Sequence, residues 1–175
     1  NHFAGIKNSL RPVLSLANFG HSILGTKAMS SITKGMHNVL GIPLWTPAMP
    51  KAYRVNLHNL QKVKEQPLKV VYFPSCINQT MGLPKESPVD QPLVDKMMSL
   101  LQKAGYEVIF PKNMDKLCCG TIWESKGMLD IADRKSAELE AALWEASEQG
   151  KYPVLCDQSP CLHRMRECIK KMKLY

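Results

Sequence analysis

The stretch LKVVYFPSC, residues 68–76, decides the fold of this chain. β-branched and aromatic residues fill its centre, Pro74 ends the run, and Cys76 follows two residues later. A short apolar run bounded by a proline is typical of a buried β-strand. The stretch therefore predicts a strand that delivers Cys76 to a loop.

Two later stretches repeat this arrangement. Residues 106–110 (YEVIF) stop at Pro111 and lead to the sequence LCCG at residues 117–120. Residues 152–155 (YPVL) lead through Asp157 to Cys161. Each stretch predicts a further strand followed by a loop that carries cysteine.

Helical patterns separate these predicted strands. They run from residue 90 or 91 to 104, from 128 to 148, and from 162 to the chain end, and the first places Leu93, Met97, Leu101 and Ala104 on one face. Alternating strands and helices predict an α/β fold, a parallel sheet of the three-layer type with crossover helices. Because the carboxyl ends of parallel strands meet at one edge, we expect the cysteine loops to form one site.

The candidate ligands of that site are Cys76, Cys118, Cys119 and Cys161. Thiolates are the soft ligands that iron–sulfur clusters and zinc select. Gly120 allows the backbone to approach closely and offers an amide donor to sulfur.

The remaining cysteines and the alternative chemistries stay open at this point. Cys156 fits either a buried core residue or a further ligand, whereas Cys168 is expected to pack. A structural zinc site usually shows a compact C-x₂₋₄-C pair, which the vicinal pair does not supply, and several irons accommodate neighbouring thiolates more readily. A thiol–disulfide site, within Cys118-Cys119 or with Cys161, is a further alternative.

The N-terminal part of the chain has a different character. Residues 1–69 carry nine Lys or Arg against Glu65 alone, whereas the rest of the chain is balanced. Apolar residues at helical spacing predict helices to about residue 42, followed by a proline-rich connector and a solvated helical turn over 56–67. Five glycines are expected to break the helical region into short pieces: Gly5, Gly20, Gly25, Gly35 and Gly41.

These patterns divide the chain at residue 67. Residues 1–67 are predicted to form a helical, basic linker or docking segment, and residues 68–175 a cysteine-rich α/β domain. An excess of positive charge beside apolar helices makes an anionic membrane surface a candidate partner.

The cysteines and the termini suggest where the protein works. No secretory leader opens the chain, so we expect reduced cysteines and a cytoplasmic location, or a peripheral one on the cytoplasmic face of the inner membrane. The chain begins with Asn1, and we expect a piece of a longer polypeptide. No dinucleotide, P-loop or nucleophile motif appears, so we expect no catalytic residue of its own and no nucleic-acid partner.

Three motifs together resemble the cysteine-rich CCG domain. They are VYFPSCINQTMG at 71–82, LCCG at 117–120 and CDQSPCLHRM at 156–165. They are most similar to the C-terminal part of bacterial FAD- and iron–sulfur-containing D-lactate dehydrogenases. Related domains occur in heterodisulfide reductase, the iron–sulfur subunit of glycolate oxidase and the third subunit of anaerobic glycerol-3-phosphate dehydrogenase. The resemblance covers residues 68–175, and the preceding part looks like the helical linker after a ferredoxin-type segment.

The resemblance implies an electron-transfer role within an FAD- and iron–sulfur-dependent D-2-hydroxy-acid dehydrogenase. Cys76, Cys118, Cys119 and Cys161 would ligate an iron–sulfur cluster of the 4Fe–4S kind. The FAD, the ferredoxin-type domain and a second CCG repeat would belong to the same polypeptide outside this chain, and a quinone or a protein would accept the electrons. Relatives end in C-x-x-C, whereas Gln158 stands three residues before Cys161 here, which leaves Cys156 as the nearby substitute. The isolated piece would then hold an incomplete site without its cluster.

Overall fold

A computed structural model describes residues 3–56, 68–170 and 172–175 of the chain. The elements in chain order are α1 (Phe3–Leu40), β1 (Leu68–Phe73), α2 (Leu93–Lys103), β2 (Tyr106–Ile109), a 3₁₀ turn (Met114–Lys116), α3 (Thr121–Glu124), α4 (Leu129–Ala146), β3 (Val154–Cys156) and α5 (Ser159–Cys168).

The chain divides into two compact units. The first unit comprises Asn1–Arg54 with Thr80–Leu93, and the second comprises Val55–Gln79 with Val94–Tyr175. The boundary predicted at residue 67 and most of the predicted turn over 56–67 lie outside the described residues.

The second unit is built on a parallel sheet of three strands in the order β2-β1-β3. Val71 lies at the centre of the sheet, because it aligns with Ile109 of β2 on one side and Val154 of β3 on the other. The four residues 70–73 are buried, which explains why β1 reads as a continuous apolar run and not as an alternating one. The mixed α/β class with a parallel sheet is therefore confirmed.

Helix α4 supplies much of the core that covers this sheet. Leu139 and Leu143 are fully buried in a cluster with Val71, Val154 and Met165. Burying an aliphatic side chain of this size contributes about 1.5–3 kcal/mol, so these contacts hold α4 firmly in place.

The apolar face predicted for α2 is not the face that the helix buries. The buried residues of this helix are Val94 and Met98, whereas Leu93 is 44% exposed. Val94 and Met98 are four residues apart and define the buried stripe, which lies one position away from the predicted one.

The last helix also differs from its prediction. Helix α5 begins at Ser159, ahead of the predicted start, and ends at Cys168, well before the chain end. The chain then returns beside β3, where the Tyr175 amide donates to the Val154 carbonyl (2.8 Å) and the Cys156 amide donates to the Tyr175 carbonyl (2.8 Å). This pairing satisfies backbone groups that β3 would otherwise leave unpaired at the sheet edge.

In the first unit, α1 contains one sharp bend and not several breaks. Gly25 adopts φ 75° and ψ 173°, a conformation outside the helical region, whereas Gly5, Gly20 and Gly35 remain within the helix. A Cβ placed on Gly20 would lie 3.3 Å from Met29 Sδ, so the segment after the bend turns back towards the segment before it. Glycine in a helix costs only about 1 kcal/mol, which explains why most of these glycines do not end the helix.

Two further contacts complete the first unit. Arg11 Nε donates to the Tyr53 carbonyl (3.0 Å), and the ring of His21 packs edge-on against Trp45 with centroids 4.7 Å apart. Within the described residues, no helix is both long enough and apolar enough to cross a membrane.

Candidate functional site

The loops after β1 and β3 are tied together by one carboxylate. Asp157 accepts a hydrogen bond from the Ser75 amide (2.8 Å) and a second one from the hydroxyl of buried Tyr72 (2.9 Å). Ser75 precedes Cys76, and Asp157 follows Cys156, so this carboxylate fixes the positions of two cysteine loops relative to each other. The sequence interpretation gave Asp157 no role, although an acidic residue directly after a parallel strand was a usable signal.

The CCG segment is locked onto α4 by a close backbone approach. Gly120 has φ 95°, and a Cβ at this position would lie 2.5 Å from the Ala132 carbonyl oxygen. One residue earlier, the Cys119 carbonyl accepts a hydrogen bond from Ser136 Oγ at 2.7 Å. Only glycine fits this position, because any side chain would clash with α4 in a left-handed backbone conformation.

Local hydrogen bonds also reach the two vicinal sulfur atoms. The Gly120 amide donates to Cys118 Sγ at 3.4 Å. Thr121 Oγ1 lies 3.2 Å from Cys119 Sγ and 3.3 Å from the Pro160 carbonyl oxygen, so its one hydroxyl proton is within reach of either atom. Thr121, which the sequence interpretation missed, thus links the CCG segment to the first turn of α5.

Five cysteine thiols form a connected row, which we call the thiol row. Its members are Cys76, Cys118, Cys119, Cys161 and Cys156, and neighbouring thiols in that order lie close enough to shift a pKa within each pair. All five are in the reduced state. The four cysteines predicted as ligands therefore lie together with Cys156, and Cys161 lies in the first turn of α5 and not in a loop before it.

Contacts along the thiol row separate the acidities of its members. Hydrogen bonds from the Cys118 thiol, from the Cys161 thiol and from Thr121 lower the pKa of Cys119 far below its usual value. The hydrogen bond to Cys119, together with the contact to Cys76 and burial, raises the pKa of Cys118. The contacts to Cys119 and to Cys156, together with burial, raise the pKa of Cys161. The row thus favours one thiolate, at Cys119, flanked by protonated thiols that donate to it.

Within the described ranges, no group of three or more His, Cys, Asp or Glu side chains is placed to hold a metal ion.

An ion-pair group holds the helices around the thiol row. Arg164 on α5 has a side chain only 8% exposed and pairs with Glu124 of α3 (2.7 Å) and with Asp133 of α4. Because α3 follows the CCG segment and α5 carries Cys161, this arginine holds together the elements that position Cys119 and Cys161.

The remaining candidates have structural surroundings. Cys168 is partly buried and packs against the core, and His163 is exposed and lies 3.4 Å from Glu167. Three buried N–H donors, Asn78 Nδ2, Trp123 Nε1 and Arg164 Nε, have no hydrogen-bond partner among the described residues. Asn78 lies two residues after Cys76, and Trp123 lies three residues after Gly120.

Comparison of the chain with protein-family models, with curated proteins and with solved structures finds no match.

Proposed function

We propose that the thiol row holds an iron–sulfur cluster and that this chain is an electron-transfer domain of a flavin-dependent D-2-hydroxy-acid dehydrogenase, D-lactate dehydrogenase in particular. The observation that carries the proposal is the convergence of five reduced thiols from three separate stretches of the chain, whose neighbours shift each other's pKa. The resemblance of these stretches to the CCG domain supplies the enzyme class. A reducing compartment such as the cytoplasm would keep the thiols free.

The donor set fits such a group. Sulfur is the ligand that iron–sulfur clusters require, and one member of the row already favours the thiolate form. Cys76, Cys118, Cys119 and Cys161 would be ligands. Relatives have a further cysteine three residues before the last one, where this chain has Gln158, and Cys156 would supply that thiol. A bound cluster supplies reversible one-electron transfer.

The protein's own groups would set the properties of the bound sulfur atoms. The Gly120 amide and the Thr121 hydroxyl contact Cys118 and Cys119 respectively, and donors to sulfur stabilise its negative charge. The unpaired N–H groups of Asn78 and Trp123 are further donors for sulfur that arrives with the metal. The flavin, the ferredoxin-type clusters, the second repeat and the quinone or protein acceptor would lie outside this chain.

Anaerobic reconstitution tests this proposal. We would incubate the reduced chain, and the longest natural polypeptide that contains it, with ferrous iron and sulfide, and then measure bound iron, acid-labile sulfide and the EPR signal after reduction. We expect iron and sulfide in equal amounts, and a loss of about half or more of both in Cys118→Ser, Cys119→Ser and Cys161→Ser. Cys168→Ser is the matched control and should retain both. Absence of iron from both polypeptides would overturn the proposal.

A thiol–disulfide function is the second candidate, because the Cys161 thiol is near enough to lower the pKa of Cys119. In that reaction the S–H bond of Cys161 breaks, the Cys119 thiolate and the Cys161 sulfur form one S–S bond, and one proton and two electrons leave, the electrons passing to a disulfide or quinone oxidant. This function predicts a metal-free protein that reversibly forms one disulfide per chain. Thiol counting and mass spectrometry would measure it.

A further inference from the structure

The first segment of α1, which ends at the bend at Gly25, presents most of its large apolar side chains from residue 5 onwards to solvent. Six large apolar residues have exposed fractions between 49% and 71%: Ile6, Val13, Leu16, Phe19, Ile23 and Leu24. The residues that this segment buries are Leu14 together with Lys7 and His21, which are 5% and 4% exposed. This is the reverse of the usual surface helix, which turns its apolar face inward.

The exposed residues form one continuous stripe. At 3.6 residues per turn, the six side chains fall within an arc of about 140° of the helix circumference. The other positions in that arc are small or uncharged, namely Gly5, Ser9, Pro12 and Gly20. A helix face of this width without a charge fits an apolar environment and not water.

The same unit is exclusively basic over its N-terminal portion. Residues 3–56 contain six Lys or Arg and no Asp or Glu. Four of these cations are exposed, Lys27, Lys34, Lys51 and Arg54. An apolar stripe and exposed basic residues within one unit match the acyl chains and the anionic headgroups of a lipid surface.

We propose that the stripe of α1 inserts into the headgroup region of an anionic bilayer and that the exposed cations bind its phospholipid headgroups. A second copy of the chain is the less favourable partner, because a symmetric contact would set the same cations against each other. A protein partner would need an apolar groove and an acidic surface in matching positions. An anionic bilayer offers acyl chains and negative headgroups over its whole surface. The thiol row lies in the other unit and is not needed for this docking.

Vesicle sedimentation of the complete 175-residue chain tests this proposal. The probes are vesicles of phosphatidylcholine alone and vesicles with one quarter phosphatidylglycerol, at low and at high salt. We expect binding to the anionic vesicles that weakens by about tenfold or more in high salt, because screening shortens the reach of the charges. The vesicles without charge should bind at least about tenfold more weakly at low salt.

Two sets of variants separate the apolar and the charged contributions. Leu16→Gln with Phe19→Gln and Ile23→Gln should reduce binding by about tenfold or more, since these side chains would supply the buried apolar area. Leu100→Gln with Leu129→Gln removes exposed leucines from the other unit and should leave binding unchanged.

Lys27→Gln with Lys34→Gln should reduce binding by roughly fivefold per lysine. Lys103→Gln with Lys126→Gln, in the other unit, is the control. Circular dichroism confirms that each variant is folded.

Several results would overturn the proposal. Failure to bind anionic vesicles is one, and equal binding to both vesicle types is another. Concentration-dependent dimerisation that the triple glutamine variant abolishes, without vesicle binding, would assign the stripe to a second copy of the chain. None of these readouts involves the thiols, so they leave the electron-transfer proposal untouched.

Discussion

Gly120 is the residue on which the geometry of the CCG segment depends most directly. Its positive φ and its approach to the Ala132 carbonyl allow the segment to turn tightly against α4. The turn also directs the Gly120 amide to Cys118 Sγ, so one glycine serves both the packing and the site.

Gly120→Ala should therefore destabilise the protein more than an alanine at another left-handed glycine. Gly127 has φ 73°, and a Cβ added there would meet nothing within 4 Å, so Gly127→Ala costs only the backbone strain, about 1–2 kcal/mol. Gly120→Ala adds the clash with the Ala132 carbonyl, for a further cost of about 1–3 kcal/mol. Urea unfolding of both variants checks this, and equal losses would show that the close approach is not stabilising.

The ionisation of Cys119 near neutral pH differs between the folded and the unfolded chain. Because its pKa is lowered, Cys119 stays ionised as the pH falls below about 8.5, where an unfolded thiol becomes protonated. The contribution of Cys119 to the free energy of unfolding is fully present above about pH 8.5. It declines as the pH falls towards the pKa of Cys119 in the folded chain.

The reduced, metal-free chain should therefore show thiolate absorbance near 240 nm at pH 6 that disappears on unfolding. Cys119→Ser should remove this absorbance, whereas Cys168→Ser should retain it. A folded chain that lacks the absorbance at pH 6 would contradict the assignment of the thiolate to Cys119.

At the scale of the elements, Asp157 joins the ends of two parallel strands. It accepts hydrogen bonds from the backbone of one loop and from buried Tyr72 of β1, so its removal takes an acceptor away from a buried hydroxyl. We expect Asp157→Ala to lower the free energy of unfolding by about 2–4 kcal/mol and to reduce iron retention after reconstitution.

Tyr72→Phe provides the graded comparison for Asp157→Ala. It removes one of the two hydrogen bonds and no backbone contact, so its cost should be about 0.5–1.5 kcal/mol. Asp115→Ala, at an exposed position, should change stability by less than about 0.5 kcal/mol. Denaturant unfolding and iron analysis measure all three, and an Asp157→Ala variant that resembles Asp115→Ala would show that the loops do not depend on this carboxylate.

The helices and strands also differ in how far neighbouring residues alone predict them. The strands could be predicted because β-branched runs and proline stops are local signals, as at residues 68–76. The predicted start of α5 at residue 162 was too late, because Pro160 suits the first turn of a helix and lies in the first turn of α5. Its end depends on residues 172–175 pairing with β3, which no local pattern encodes.

The site follows the same division. The cysteines could be identified because vicinal thiols after predicted strands are rare and their topology places them at one edge of the sheet. The sequence did not identify Thr121, Asp157 and Ser136 as site residues. The role of each depends on a hydrogen-bond partner that is distant in sequence.

At the scale of the whole molecule, the chain separates two kinds of surface. The first unit holds the exposed cations and the apolar stripe of α1, and the second holds the thiol row within an α/β core. The proposed metal site therefore lies entirely in the second unit, and the proposed lipid contact lies entirely in the first.

Loading the thiol row with iron and sulfide should consequently protect one unit and not the other. Ligand binding to the folded state suppresses local opening of the elements that hold it, by an amount set by the free ligand concentration relative to its dissociation constant. We expect hydrogen exchange to slow by about tenfold or more around residues 74–79, 117–124 and 156–165 on anaerobic loading, while residues 3–40 exchange at an unchanged rate. The Cys118→Ser, Cys119→Ser double variant, treated identically, should show no slowing in either unit. Equal slowing in α1 would mean that metal binding orders the whole chain, and the division of roles between the two units would then be wrong.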